Sequence, residues 1–381
     1  MTVEVRYLGH LGNNLFQYAL GRILAEALGQ ELVCRAAADA RRWAQVEQMS
    51  GVVDRFIEQS AAFVDAPQSL PGAVFAGPQL RYVIEEKLNW SGHGINLPYL
   101  FCHGRGKRIV LHGYFQRAEY YLPYRAQIRR WFAFKDALPA VKLGPHDVLV
   151  HLRQSLDMRM LDRAIDLSFY SETLAAMAPM RVYVCGLGLG PAVRAALAPF
   201  DPVYLDLPAL ATFKVMMHAE RIVLANSTFS WWGAWLSQAS EVVYPRVTRN
   251  FWSRDRADVA LEVPEARYRY VEHVAIQEWR PFQPRADVAW SQEAPQRVVV
   301  RGARGTLTLT PGADLLALCA WLAERREAFG LIDLDDIELS PAARHDAPRL
   351  LLALARQGLL TVEDEVQTAL AAVYGEVGPS A

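Results

Sequence analysis

The N-terminal part of the chain alternates between apolar and polar positions in a way that predicts a strand, a loop and a helix. Residues 3–7 alternate like a short strand, and residues 9–14, with the sequence GHLGNN, predict a tight loop. Apolar side chains then recur near helical spacing over residues 15–29, which predicts a helix. Residues 107–115 predict a buried strand. This order indicates the beginning of an α/β unit.

A second series of strands and helices follows a linker that contains prolines and a glycine, residues 136–147. Short apolar segments predict strands in this part of the chain at residues 147–153, 181–185, 201–207, 221–225 and 241–245. Strands separated by helical segments of this length are typical of a parallel sheet covered on both faces. Two such halves joined by a linker predict a cleft between them.

The pattern changes near residue 283, where a polar, proline-rich segment is followed by a β-like stretch and two strongly helical runs. This change predicts a separate small module. The predicted fold class is therefore α/β, with two halves of alternating strands and helices that face a cleft and a small, mostly helical C-terminal α+β module. The predicted domains are residues 1–137, 145–285 and 290–381.

Length and composition bound the class of protein. A chain of 381 residues is longer than one hydrophobic core usually serves. The hydrophobic fraction of 52% and the charged fraction of 21% are those of a globular protein. The formal net charge is -1 and the sequence has no block of like charges, which argues against nucleic acid as a partner. These features favour a small-molecule partner.

The spacing of the cysteines and the length of the apolar runs bear on the cellular location of the protein. Cys34, Cys102, Cys185 and Cys319 lie far apart, so buried free thiols are expected rather than a zinc site. No apolar run reaches the ~18 residues of a membrane-crossing helix, and the first residues predict a strand rather than a secretory leader. We expect a cytoplasmic protein, with peripheral association at the inner face of a membrane left open. A homo-oligomer, or a partner bound through the C-terminal module, also stays open.

One candidate site is the stretch LANSTFSWWGAWL, residues 224–236, in which a predicted strand ends at Ala225 and a helix follows. Ligands bind at such strand ends in open parallel sheets. Backbone N–H groups and the dipole at the helix start suit a phosphate oxygen, and the hydroxyls of Ser227, Thr228 and Ser230 are further donors. The tryptophans that follow are expected to anchor the helix in the core. An ordinary capped helix is the alternative interpretation.

Two other stretches contain candidate residues. HLRQSLD, residues 151–157, places Arg153 at the end of a predicted strand, where a guanidinium group can bind a pair of phosphates bidentately. A surface arginine is the alternative. In the loop at residues 9–14, Gly9 and Gly12 permit a positive φ or a close approach of the backbone.

These stretches, in this order, resemble the motifs of a known family. LGNNLFQYALGRILAEALG is similar to the family's G-L-G-N-Q-x-F-Q-Y-A start, LHGYFQRAEYY to its middle segment, HLRQSLD to its H-x-R-R-G-D, and ANSTFSWWGAWL to its most specific segment. The chain thus resembles the bacterial α-1,2-fucosyltransferases of glycosyltransferase family 11, and more distantly the fucosyltransferases with an H-x-R-R-x-D motif that use GDP-fucose. The resemblance covers about residues 3–285 and does not include the tail.

The resemblance implies a GT-B fold, with two Rossmann-like domains that face a cleft, and an inverting glycosyltransferase that needs no metal or other cofactor. It implies GDP-fucose as the donor, held mainly by the second domain, and a glycan hydroxyl as the acceptor. By position, Arg153 neutralises the donor diphosphate and Asn13 faces the sugar, while His151 and Asp157 brace the arginine loop. The turn that completes the phosphate site consists of Asn226, Ser227, Thr228, Phe229 and Ser230.

Three residues depart from the pattern of the family. Gln154 replaces its second arginine, which removes a charge near the phosphates, and Thr212 replaces an acidic residue. His10 replaces a glycine and introduces an imidazole, a group suited to proton transfer near neutral pH. His10 is therefore a candidate base, and a loop histidine that only makes hydrogen bonds is the alternative.

The sequence leaves two other functions open. The donor can be another GDP-hexose, or the protein can be a non-catalytic relative that binds a sugar nucleotide or a glycan. A dinucleotide enzyme is not favoured, because GLGLG at residues 186–190 lacks the remainder of that fingerprint. Asp333 and Asp335 form a D-x-D pair in the tail, which predicts a solvated helix start rather than a metal site.

Overall fold

The computed structural model describes residues 2–7, 9–36, 63, 81–85, 95–136, 139–160, 163–247, 259–277, 279–311, 313–337, 339 and 341–374. Within them the chain is a mixed α/β protein whose two larger sheets are parallel, which confirms the predicted α/β class. None of the helices in this described part combines the length and the apolar composition that a bilayer crossing requires.

The regular elements have the following bounds. The strands are β1 (Thr2–Tyr7), β2 (Glu31–Ala36), β3 (Arg81–Glu85), β4 (Arg108–His112), β5 (Val148–Arg153), β6 (Val182–Leu187), β7 (Val203–Tyr204), β8 (Arg221–Val223), β9 (Glu241–Val247), β10 (Tyr268–Val274), β11 (Phe282–Pro284), β12 (Ala289–Ala294), β13 (Arg297–Gly302), β14 (Gly305–Leu309) and β15 (Leu360–Val362). The helices are α1 (Leu11–Leu28), α2 (Leu97–His103), α3 (Arg125–Trp131), α4 (Leu156–Met160), α5 (Leu167–Met177), α6 (Pro191–Leu197), α7 (Ala209–His218), α8 (Thr228–Leu236), α9 (Ala313–Glu324), α10 (Pro341–Arg356) and α11 (Asp364–Tyr374).

The described residues group into two compact units. The first contains residues of Met1–Trp43, Val53–Gln154 and Ile165–Ile276, and the second contains Ser155–Ala164 and residues of Gln277–Ala381. Both parallel sheets belong to the first unit, and the short segment Ser155–Ala164 folds with the second, a grouping that the sequence pattern did not indicate. The domains at residues 1–137, 145–285 and 290–381 stay predictions.

The first sheet has the strand order β2-β1-β4-β3, with parallel pairs. Helix α1 lies close to β1, since a Cβ atom on Gly21 would come within 2.3 Å of Val5 Cγ2. Neighbouring strands β1 and β4 end at the same edge, where the chain leaves them through Gly9 and Gly113. Two polar motif segments therefore meet at this edge.

The second sheet has the strand order β10-β9-β8-β5-β6-β7, again with parallel pairs. Counted from β5 as the first strand, the order from β7 to β10 is 3-2-1-4-5-6, which is that of a Rossmann fold. The chain winds in one direction from β5 to β7 and in the other from β8 to β10. The switch point therefore lies at the carboxyl ends of β5 and β8, where such sheets bind ligands.

Aromatic packing between α1 and α8 joins the elements of the two sheets within the first unit. Trp231, Trp232 and Trp235 are each 0% exposed, which confirms that the tryptophans anchor their helix in the core. The ring centroid of Phe16 lies 4.9 Å from that of Trp231 and 4.8 Å from that of Trp232. Buried aromatic pairs at these distances stabilise the fold by more than the burial of their apolar surface alone.

Arginine side chains cap the carboxyl end of α8. Arg129 donates to Leu236 O from Nε at 3.0 Å and from Nη2 at 2.9 Å, and Arg125 Nη2 donates to Trp235 O at 2.7 Å. Arg267 also donates to Trp235 O. Burial lowers the pKa of Arg125 and Arg129 from the ordinary arginine value. Cations at this end satisfy the last carbonyls and offset the negative end of the helix dipole.

The second unit has its own buried core. Strands β12, β13 and β14 form an antiparallel meander, and β11 pairs antiparallel with β15. The fully buried side chains of this core include Phe282, Phe329 and Leu351. That this part of the chain forms a separate module stays a prediction.

The cysteines are all free. Cys185 and Cys319 are buried, as expected, and Cys34 is half-buried. The expectation is wrong for Cys102, which is exposed on the short helix α2.

Candidate functional site

The motif residues of the second sheet lie at its switch point. Arg153 is the last residue of β5, and the Asn226–Ser230 turn follows β8, the strand paired with β5. The predicted strand ends are therefore brought to one edge by two adjacent strands. Arg153 is half-buried there.

Hydrogen bonds within the turn fix its shape. Ser227 N donates to Ala225 O at 2.8 Å, and Ser230 Oγ donates to Ala225 O at 3.2 Å and to Ser227 O at 2.9 Å. Ser230 is 0% exposed, so its hydroxyl shapes the turn from inside. Ser227 is the N-cap residue, its backbone is extended, and its side chain makes no capping bond to α8. The Ser227 hydroxyl and the backbone N–H groups in the first turn of α8 are therefore the donors that this turn can offer to a ligand.

The amino ends of α1 and α8 touch each other. A Cβ atom on Gly12 would come within 2.4 Å of Phe229 N and 2.6 Å of Thr228 Oγ1, so only glycine permits this approach. Neither helix has an acidic residue in its first turn. The positive ends of two helix dipoles therefore lie together, which favours an anion at this point.

Asn13 connects three motif segments. Its Oδ1 accepts from Gln116 Nε2 at 3.0 Å and from Thr228 Oγ1 at 3.0 Å. With the oxygen engaged twice, the orientation of the amide is fixed, and Nδ2 donates to no group in the part of the chain that the structure describes. Asn13 is half-buried, and Nδ2 is a preoriented donor.

Buried polar side chains connect the start of α1 to the backbone at Gly9 and Gly113. Asn14 Nδ2 donates to Gly9 O and to Gln17 Oε1, both at 3.2 Å, and Gln17 Nε2 donates to Gly113 O at 2.7 Å. Asn14 and Gln17 are 0% exposed. These side chains and Gln116 were not among the predicted site residues, although all three lie in the motif segments that carry the resemblance.

His151 is a buried neutral imidazole beside Arg153. Its side chain is 4% exposed and stacks on Phe229 with ring centroids 5.4 Å apart. Burial, and then the positive charge of Arg153, lower the pKa of His151 to about 3. The imidazole therefore adds no charge of its own next to the arginine at neutral pH.

The protonation of His151 predicts acid sensitivity. The unfolded chain binds this proton below pH ~6.5 and the folded chain only below pH about 3, so stability falls as the pH drops through that window. At pH 5 the loss is about 2 kcal/mol. We expect His151→Phe, which can keep the stack on Phe229, to remove this loss of stability at low pH. The free energy of unfolding in urea, measured at pH 7.5 and at pH 5, tests the prediction. The exposed His146→Gln is the control, and equal pH dependence in wild type and His151→Phe would contradict the prediction.

Gln154 has a structural role at the position of the family's second arginine. Gln154 is 3% exposed, its Nε2 donates to Ile165 O at 2.6 Å, and its N–H donates to Leu187 O at 2.8 Å. Thr212 is likewise buried, and its Oγ1 donates to Leu207 O at 3.2 Å. Both side chains support the backbone at their own positions.

The remaining predicted residues lie in different surroundings. His10 is the N-cap of α1, and its carbonyl accepts from Asn13 N and Asn14 N, both at 3.0 Å. Asp157 lies in α4, within the second unit, and its Oδ1 accepts from Ser155 Oγ at 2.5 Å. Asn226 is 3% exposed in the turn. Their roles in binding and catalysis stay predictions.

Among the residues that the structure describes, no three His, Cys, Asp or Glu side chains are grouped as metal ligands would be. The expectation that no metal is needed stays a prediction.

Comparisons with known proteins give limited information. No protein-family model matches the chain, and no curated protein matches it. One similar solved structure is the glycosyl transferase family 9 from Veillonella parvula DSM 2008, with a TM-score of 0.34 and 11% identity over 70% of this chain and 84% of that one. Another is POFUT1 in complex with GDP, with a TM-score of 0.30 and 12% identity over 71% of this chain and 98% of that one. At this level the likenesses carry no argument about function.

Proposed function

We propose that the chain is an inverting, metal-independent GT-B glycosyltransferase that transfers fucose from GDP-fucose to a hydroxyl of a glycan acceptor. The observation that carries the proposal is the position of Arg153 and the Asn226–Ser230 turn at the switch point of the second sheet, beside the converging starts of α1 and α8. Open α/β sheets bind nucleotides at such an edge.

The charges at this edge match the needs of the reaction. Cleavage of the bond between a sugar and a nucleoside diphosphate develops negative charge on the leaving diphosphate. Fixed donors placed before the reaction stabilise that charge most effectively. We assign this role to the guanidinium of Arg153 and to the first N–H groups of α8, with the dipole of α1 adding to the potential.

Asn13 is assigned to the sugar. Gln116 and Thr228 hold its Oδ1, so its Nδ2 can donate to a sugar hydroxyl without first reorienting. A donor fixed in this way discriminates between sugars that do and do not place an oxygen at that point.

His10 is assigned as the candidate base for the acceptor hydroxyl, on the ground of its position at the start of α1. A positioned base contributes roughly 10²- to 10⁴-fold. His10→Ala should slow turnover within that range and leave GDP affinity unchanged. A fully active His10→Gly enzyme would remove the assignment.

A panel of nucleotides tests the function. We expect GDP and GDP-fucose to raise the melting temperature of the protein, GMP to raise it less because it lacks the second phosphate, and UDP-sugars to leave it unchanged. Transfer of fucose to a glycan mixture should persist in excess EDTA. A protein that binds no guanine nucleotide would refute the proposal.

The two alternatives give different results in the same panel. A larger shift of the melting temperature with another GDP-hexose than with GDP-fucose would indicate that the protein is a glycosyltransferase with that other donor. A shift with GDP-fucose without hydrolysis or transfer would indicate a non-catalytic binding protein.

A further inference from the structure

The segment that directly follows Arg153 and Gln154 is part of the core of the second unit. In α4, Met160 is 0% exposed and Leu156 is 9% exposed, and both belong to the hydrophobic cluster of that unit. The same cluster contains Phe282 and Leu351, from the C-terminal part of the chain. A segment of the first half of the sequence therefore shares a hydrophobic core with residues from its last third.

Polar contacts hold the same segment. Arg159 Nη2 donates to Glu365 Oε1 at 2.8 Å, and its guanidinium carbon lies 4.5 Å from the ring centroid of Trp279. Trp279 Nε1 in turn donates to Glu363 Oε1 at 3.0 Å. Because the guanidinium is stacked on one side and paired at its end, its position is restricted in two directions.

Both ends of the segment are fixed close together. Gln154 Nε2 donates to Ile165 O at 2.6 Å, and Ile165 forms an isolated β-bridge with Ile276. The chain thus leaves the first unit after Gln154 and returns at Ile165. Arg153 immediately precedes this exit, as the last residue of β5.

We propose that the C-terminal unit serves donor binding by holding Ser155–Ala164, and that Arg159 and Met160 are positioning residues that act on Arg153 through the intervening backbone. This inference rests on the proposed function. A segment of this length without a core to pack on gains conformational freedom at each residue. Release of the segment leaves the backbone after Arg153 held only by the contacts of Gln154 with Leu187 and Ile165, so the orientation of the Arg153 guanidinium toward a diphosphate becomes less restricted.

The experiment compares two arginines of the second unit. Arg159→Ala removes the contacts with Trp279 and Glu365, while Arg285→Ala removes only the pair with Asp287, whose Nε to Oδ1 distance is 2.9 Å. Hydrogen exchange of peptides covering residues 154–165 and the Kd of GDP by calorimetry are measured in both variants and in the wild type. Met160→Ala is a second test of the buried contact.

We expect Arg159→Ala and Met160→Ala to speed exchange in residues 155–164 and to raise the Kd of GDP about 5- to 10-fold. The affinity for GMP should fall less, because Arg153 is assigned to the diphosphate. Arg285→Ala should change neither quantity.

The outcomes separate this inference from the function it rests on. If the wild type binds GDP and both variants bind it with an unchanged Kd while exchange rises, the positioning role is overturned and the proposed function stands. If exchange in the segment does not rise in either variant, Arg159 and Met160 do not hold it. A wild type that binds no GDP overturns the proposed function and the positioning role together.

Discussion

Arg153→Ala is expected to lower the rate of fucose transfer about 10²- to 10³-fold, because removal of one preorganised donor to a developing anion has an effect of this size. The residue ends β5 at the switch point of its sheet, and its side chain contributes little to the core, so the fold should persist. Transfer kinetics and the melting temperature of the variant, measured together, test the prediction.

The control variants distinguish the effect of the positive charge of Arg153 from the effect of the planar shape of its guanidinium group. Arg153→Lys keeps the charge but has no planar fork, so we expect it to restore activity only in small part. Arg269→Ala removes an exposed arginine near the amino end of β10, at the opposite edge of the same parallel sheet, where its Nε lies 3.5 Å from Glu241 Oε1, and should leave transfer unchanged. Near-normal turnover in Arg153→Ala would remove this arginine from the mechanism.

The strands of the second sheet could be predicted because each is a short, almost wholly apolar run. The segments predicted at residues 147–153 and 181–185 are strands at Val148–Arg153 and Val182–Leu187. Such runs are typical of strands buried on both faces, and polar residues at their ends mark the ligand edge. The candidate turn after β8 followed from the same pattern.

Contacts between distant polar residues could not be predicted in this way. The bonds of Asn13 to Gln116 and Thr228 join positions far apart in the chain, and polar side chains have no periodicity that indicates a partner. The helix α1 also begins earlier than expected, at Leu11, because the loop prediction gave the polar residues of its first turn too much weight. The helix Leu156–Met160 is too short to give a recognisable apolar pattern, so the sequence did not indicate that Leu156 and Met160 belong to the hydrophobic core of the second unit.

Trp232→Ala is expected to destabilise the protein by about 3–5 kcal/mol, the range measured for truncation of a large buried aromatic side chain. Trp232 is 0% exposed, and its ring centroid lies 4.8 Å from that of Phe16 and 5.6 Å from those of Tyr121 and Phe132. These rings join α8 to α1, so the cavity would lie beneath the candidate phosphate site. The free energy of unfolding in urea measures the loss.

Replacement by phenylalanine separates packing from hydrogen bonding. Trp231 Nε1 donates to Leu261 O at 2.7 Å, whereas Trp232 Nε1 has no hydrogen-bond partner in the described part of the chain. Both substitutions remove the same atoms from fully buried sites, but only Trp231→Phe leaves a buried carbonyl without its donor, which costs about 1–3 kcal/mol. We therefore expect Trp231→Phe to be less stable than Trp232→Phe by that amount. Equal losses in the two variants would show that the bond to Leu261 contributes nothing to stability.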